Sequence, residues 1–149
     1  MTGLKELSSD ALALLDSAAV ATVVTLNRDG SPHLSAAWIG RDGDELVMGT
    51  LNDQRKLRNL RRDARIAVVV YGERINEWGL REYLVLEGLA RVVPGGAPQL
   101  LQELARTYIG PEAVFPAMPN PPPGYVTRIA VEHISGIGSW THDGATDTE

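Results

Sequence analysis

The residues with the clearest chemical capacity in this sequence form one run, Arg55-Lys56-Leu57-Arg58-Asn59-Leu60-Arg61-Arg62. With Arg65 it holds six of the 14 basic residues of a chain whose net charge is -5. At a helical turn of about 100° per residue, Leu57, Leu60 and Ala64 share one face, and Arg55, Arg58 and Arg62 lie opposite. The arginine face by itself reads as a solvated face. Lys56 and Arg61 differ, because they flank the apolar stripe and so run along whatever surface the helix packs on. Lys56 also falls in the first turn, where free amide groups and the positive end of the helix dipole favour an anion. With Arg55 and the hydroxyl of Thr50 just upstream, it makes a candidate phosphate site.

A second candidate is Ser31-Pro32-His33-Leu34-Ser35-Ala36-Ala37-Trp38. Small side chains at 35 to 37 beside an aromatic let a flat ligand approach backbone amides closely. The same residues also suit a tight barrel interior, and both readings stand at this point. Other chemistry is poorly served. His33, His133 and His142 have no paired metal-ligand spacing, and no metal is expected. The chain has no cysteine, which removes disulfides, thiolate metal sites and cysteine nucleophiles. There is no G-x-S-x-G, and Gly136-Ile137-Gly138 lacks the third glycine and the helix of a dinucleotide loop.

These residues must be positioned by the elements around them. Leu4 to Asp16 carries leucines near helical spacing, with Ser8 or Ser9 as a cap. Ala18 to Leu26 and Pro32 to Ile39 are extended runs joined by Asn27-Arg28-Asp29-Gly30, hence an antiparallel hairpin. Glu45 to Thr50, after Arg41-Asp42-Gly43-Asp44, reads as a third strand extending it into a meander. The helical run at 52–63 leads into a β-branched strand, Ile66 to Tyr71. Arg81 to Val93 is another strand, with Leu84, Leu86 and Ala90 on one face, and Gly88 marks a bulge or sharp bend of the kind barrel closure needs. Ala97 to Ile109 is helical. Six of the nine prolines fall at 111–123, so 111–124 is an irregular loop. Arg128 to Ile134 is the last strand, and 141–149 is a polar, frayed tail. The whole, residues 1–149, is one mainly β (α+β) domain of five or six antiparallel strands with short flanking helices, a small barrel or a sandwich.

Composition bounds the function. At 149 residues and 16.1 kDa the chain is about one domain long, with room for one cofactor-sized site. A pI near 5.2 and aromatics at 5% argue against a nucleic-acid-binding barrel, which needs broad positive charge and stacking platforms. The early apolar stretch from Ala11 to Val24 is broken by Asp16, and matches neither a signal peptide nor a membrane span. A cytoplasmic location without membrane association is the expectation.

Thr50-Leu51-Asn52-Asp53-Gln54-Arg55-Lys56, continuing through Leu57-Arg58-Asn59-Leu60-Arg61-Arg62-Asp63-Ala64-Arg65 into Ile66-Ala67-Val68-Val69-Val70, resembles the pyridoxamine 5'-phosphate oxidase-like family of flavin-binding split barrels. It looks most like the flavin/deazaflavin oxidoreductase branch of that family. Asp29-Gly30-Ser31-Pro32-His33, Glu87-Gly88 and the run from Glu132 to Trp140 are similar too, so the resemblance spans Leu12 to Trp140. It implies an FMN-binding split-barrel fold and a homodimer whose cofactor lies in a groove between two barrels. By position, Lys56 and Arg55 would bind the cofactor phosphate with help from Thr50, and Ser35, Ala36 and Trp38 would line the ring. Tyr83 falls where relatives turn a side chain to the ring system, and Trp78 would shape the mouth. Such proteins move a hydride between the cofactor ring and an unsaturated or quinone-like small molecule. Some split barrels instead bind flavin or haem without turnover.

Two departures bear on the cofactor. The chain ends in Ser139-Trp140-Thr141-His142-Asp143-Gly144 where pyridoxamine 5'-phosphate oxidase proper has an arginine and histidine arrangement, so oxidation of vitamin B6 is not expected. Gln54 stands where relatives have Ser or Arg. The Arg55-Lys56 pair suits FMN, whereas the arginine-rich helix and the proline-rich loop resemble the branch that uses the deazaflavin F420. F420 is the favoured cofactor and FMN the alternative, with Arg55, Arg58, Arg61 and Arg62 available to an anionic tail.

Overall fold

The computed structural model describes residues 3–4 and 7–141; of the expected tail, all but Thr141 lies outside the described residues. Helix α1 (Ser9–Leu15) is capped by Ser8, whose hydroxyl accepts from the Ala11 amide at 3.2 Å. It buries Ala11 and Leu15, so of the expected leucine pattern Leu15 faces in, while Leu4 and Leu7 precede the helix. Among the described residues seven strands follow: β1 (Ala21–Leu26), β2 (Pro32–Ala37), β3 (Gly40–Asp42), β4 (Glu45–Thr50), β5 (Arg65–Ile75), β6 (Arg81–Pro94) and β7 (Tyr125–Ile137). Helix α2 (Arg55–Arg62) joins β4 to β5, and α3 (Ala97–Tyr108) lies between β6 and β7. The expected mainly β fold is present, with the three-residue β3 as a seventh strand.

All pairings are antiparallel, and the strands form one sheet in the order β2-β1-β5-β6-β7-β4-β3. The β1–β2 hairpin turns where the Asp-Gly signal places it, with Gly30 at φ 87° and the Asn27 amide bonded to the Ser31 carbonyl at 2.8 Å. The expected meander does not form. β2 pairs only with β1, while β4 lies between β3 and β7, so the second and third expected strands sit near opposite edges of the sheet. The reason is local to Ile39, between β2 and β3. Its amide donates to the Tyr108 hydroxyl at 3.1 Å, and that hydroxyl is also 3.1 Å from the Ile39 carbonyl. A side chain from α3 therefore takes the backbone groups that a strand neighbour would have used.

Inward residues such as Val23, Val68, Val70, Leu84, Leu86 and Ile129 fill the core, which Leu15 of α1 and Leu60 of α2 join. The bend expected at Gly88 is a real register shift. Glu87 faces His133 but Gly88 faces Val131, which leaves Glu132 as the extra residue of β7. On the outer face the alternation does not turn polar. Val24 lies between Leu34 and Ala67, Thr22 lies between Ala36 and Val69, and Tyr71 faces Tyr83. A strand such as β5, apolar on both faces from Ile66 to Tyr71, reads as one covered on both sides.

Candidate functional site

The sheet's curl brings the end of β4 and the start of α2 against the start of β1 and the end of β2. A cavity of about 430 Å³ opens there, lined by Thr50, Asn52, Gln54 and Lys56 on one side and by Val20, Ala36, Ala37, Trp38, Leu101 and Phe115 on the other. The first set is polar and the second apolar or aromatic, so the cavity suits a ligand with an anionic end and a flat apolar body.

Two features define the polar end. Lys56 is only 4% exposed, yet among the described residues its side chain has neither an ion pair nor a hydrogen bond. Burial pushes its ammonium below the ordinary lysine value. Thr50 is 7% exposed, and its hydroxyl has no hydrogen-bond partner. Gln54, the residue before α2, gives no side-chain cap to the helix, and no acidic residue occupies the first turn. An unpartnered buried cation, an orphan hydroxyl and an uncapped helix start converge on one cavity, and each is satisfied by the same thing, an anion with several acceptor oxygens.

The helix is held firmly in this pose. Leu57 and Leu60 are buried as the projection requires, but so are Lys56 and Asn59, so the buried face is wider than the apolar stripe. Asn59 donates to the Thr25 hydroxyl at 3.0 Å and to the Asn27 side chain at 3.1 Å, and thereby fixes α2 to β1 and its turn. Arg62 donates to the Leu26 carbonyl and to Asn59, so it too serves as an anchor. Arg61 pairs with Asp53 at 2.9 Å and lies over the Tyr125 ring at 5.3 Å. Arg55, Arg58, Arg61 and Arg62 line a second, basic groove of about 890 Å³ on the outer side of α2, together with Arg28, Asn27 and Asp29.

At the apolar end, Trp38 stacks on Tyr108 with ring centroids 5.3 Å apart and meets Phe115 at 5.2 Å. Of the residues singled out from sequence, the structure brings Ala36, Trp38, Thr50, Gln54 and Lys56 into the cavity. Arg55 and Arg61 face the basic groove instead. Ser35 is not in the lining: it pairs with buried Val23 and so faces inward, where its hydroxyl has no partner. Tyr83 lies on the outer face of β6, 6.3 Å from the Tyr71 ring and outside the cavity of its own chain. Trp78 sits exposed in the β5–β6 turn. Sequence reasoning missed Phe115, Leu101, Asn52 and Val20. Phe115 is the chain's single phenylalanine, inside the proline run, and that isolation was its one signal. Among the described residues no group of three His, Asp or Glu is placed to hold a metal, and no helix is long and apolar enough to cross a membrane.

A curled antiparallel sheet with an anion-ready cavity where β4 meets α2 is the arrangement of a split-barrel flavin-binding protein. The chain belongs to the pyridoxamine 5'-phosphate oxidase family, whose model matches residues 7–138. No curated protein matches the chain. Several solved structures share its fold. An F420 reductase is 24% identical over 83% of this chain and 94% of its own, with a TM-score of 0.67. A conserved hypothetical protein from Mycobacterium tuberculosis is 22% identical over 97% of this chain and 92% of its own, with a TM-score of 0.69. HupZ from Group A Streptococcus is 18% identical over 93% of this chain and 98% of its own, with a TM-score of 0.63.

Proposed function

We propose that this protein is an oxidoreductase that holds the deazaflavin F420 and transfers a hydride between it and an unsaturated or quinone-like small molecule. The observation that carries the reading is Lys56, buried to 4% exposure without an anionic partner in the cavity that also holds the orphan hydroxyl of Thr50. That donor set fits the phosphate of a flavin or deazaflavin. When bound, the ring supplies two-electron hydride chemistry. The chain's own residues bind the phosphate through Lys56 and Thr50, and pack the ring against Ala36 and Trp38. The basic groove outside α2 favours F420 over FMN, because only F420 carries an anionic tail beyond its phosphate; within it Asp29 is turned onto Ser31, with its hydroxyl at 2.6 Å.

Titration with F420 and with FMN over a range of ionic strength tests the assignment. Surface charge is screened by salt. F420 affinity should therefore fall more steeply than FMN affinity as salt rises, and neutralising Arg55 and Arg58 together, which leaves the anchor Arg62 in place, should flatten the difference. Tight FMN binding with no F420 binding at low salt would replace the deazaflavin with FMN.

The protein acts as a homodimer in this reading. The outer rows around Val24, Val69 and Tyr71 are the surface a second copy covers, and a partner's outer face brings Tyr83 toward the ring end of the cavity. Light scattering should return twice 16.1 kDa. A mass that stays at one chain at all concentrations would overturn the dimer.

A further inference from the structure

Phe115 reaches the cavity from the segment between α3 and β7, which carries six prolines and so lacks six amide donors. Backbone bonds hold the far end of the segment, where the Ala97 amide donates to the Pro123 carbonyl, and beside Phe115 it is held by one side chain. The Gln102 amide of α3 donates to the Ala113 carbonyl at 2.8 Å, and its oxygen accepts from the Phe115 amide at 3.0 Å. One carboxamide thus engages two backbone groups two residues apart, as a neighbouring strand would. The preceding residue on the helix, Leu101, lines the cavity, and Tyr108 at the helix end stacks on Trp38. Trp38 therefore touches two rings, one carried by α3 and the other held in place from it.

We infer that Gln102 is a positioning residue: by fixing Phe115 against Trp38 it sets the aromatic wall on which a ligand's planar ring packs. The wall selects for the ring, whereas Lys56 and Thr50 select for the phosphate. The inference rests on the reading of the cavity as a site for a phosphate-ended flavin or deazaflavin, and the two can fail separately.

The experiment uses two ligand pairs: FMN with riboflavin, which differ in the phosphate alone, and F420 with its deazaflavin chromophore, which lacks both the phosphate and the anionic tail. The pair that binds the wild type is carried forward. Gln102→Met keeps the side chain's length and volume but loses both hydrogen bonds. It should weaken both members of the pair by the same factor, about tenfold, and reduce the quenching of ring fluorescence that contact with Trp38 produces. Lys56→Met should weaken only the phosphorylated member. A merely structural Gln102 would lower the melting temperature and leave both dissociation constants and the quenching where they are, and that result overturns the inference. So does a loss confined to the phosphorylated member. If Lys56→Met leaves the ratio within the pair unchanged, the phosphate reading falls whatever Gln102→Met does, and if the wild type binds none of the four, both fall. Should Gln102→Met not fold, Phe115→Leu removes the ring of the wall without touching the carboxamide and carries the same expectation.

Discussion

Lys56→Met is expected to weaken binding of a phosphate-ended flavin or deazaflavin by roughly 10- to 150-fold while making the ligand-free protein more stable. A charge-assisted hydrogen bond to phosphate is worth about 1.5 to 3 kcal/mol, and the cavity offers no second buried cation to replace it. Arg58→Ala is the control. Arg58 is exposed and donates to the Asp53 carbonyl at 2.6 Å, so its loss should cost FMN affinity only a few tenths of a kcal/mol, about that of a solvated charge. The opposite sign of the stability effect follows from burial. In the free protein the Lys56 ammonium is partly desolvated with no carboxylate to compensate it, and methionine fills a similar volume without that cost.

The same burial gives the effect a pH dependence. Lys56 is held below its ordinary value of 10.5. Between its lowered folded value and 10.5 the unfolded chain keeps the proton that the folded protein has released. Stability therefore rises with pH through that window. Below the window the ammonium is charged in both states, and its burial cost is fully present. The stability advantage of Lys56→Met should thus be largest near neutral pH and shrink as pH approaches 10.5. Urea denaturation of both proteins from pH 7 upward measures it. An advantage that does not shrink would show that Lys56 is not the strained cation, and unchanged dissociation constants for FMN and F420 would show that it is not the binding one.

Much of this was legible because its causes are local. The Asp29-Gly30 turn and the change to helical period at α2 each depend on residues a few positions apart. The place of Lys56 at the cavity was legible in the same way, since a basic residue beside an apolar stripe in a first turn needs no knowledge of the rest of the fold. What was hidden depends on partners far along the chain. The meander reading failed because Tyr108, 69 residues away, takes the backbone of Ile39. Asn59 sits in an apparently solvated run, and only Thr25 and Asn27 reveal it as the bolt of α2. Ser35 was within reach of sequence reasoning. Adjacent strand residues face opposite sides, so Ser35 and Ala36 point to different faces of β2, and only at the strand's end do neighbours, Ala36 and Ala37, both border the cavity. Phe115 was out of reach, because the residue that aims it lies on a different element.

Gly88→Ala is expected to destabilise the protein by about 3 kcal/mol or more, the largest stability effect of any single methyl group considered. A Cβ at Gly88 would lie 2.0 Å from the Ala130 carbonyl oxygen and 3.1 Å from the Val131 Cα. The obstacle is backbone, so no rotamer relieves it. β6 and β7 must instead separate where Glu132 bulges out of register, and the hydrogen bonds on either side of the bulge go with them. The position needs glycine for space, not for an unusual backbone angle. Two other glycines separate these causes. Gly79 has φ +83° and nothing within 4 Å of its missing Cβ, so alanine there should cost only the left-handed penalty of about 1 kcal/mol. Gly110 also has nothing within 4 Å and no such φ, so alanine there should be close to neutral. The consequence extends to the site. The β6–β7 bend helps to curl the sheet, and that curl carries β4 and the start of α2 back to β1, where the cavity forms. Chemical denaturation should rank the three variants Gly88, Gly79, Gly110 from most to least damaging, and any folded Gly88→Ala protein should bind FMN or F420 more weakly than wild type. A Gly88→Ala protein within 1 kcal/mol of wild type, by the scale on which single core changes are felt, would mean that the two strands are not in contact at that point.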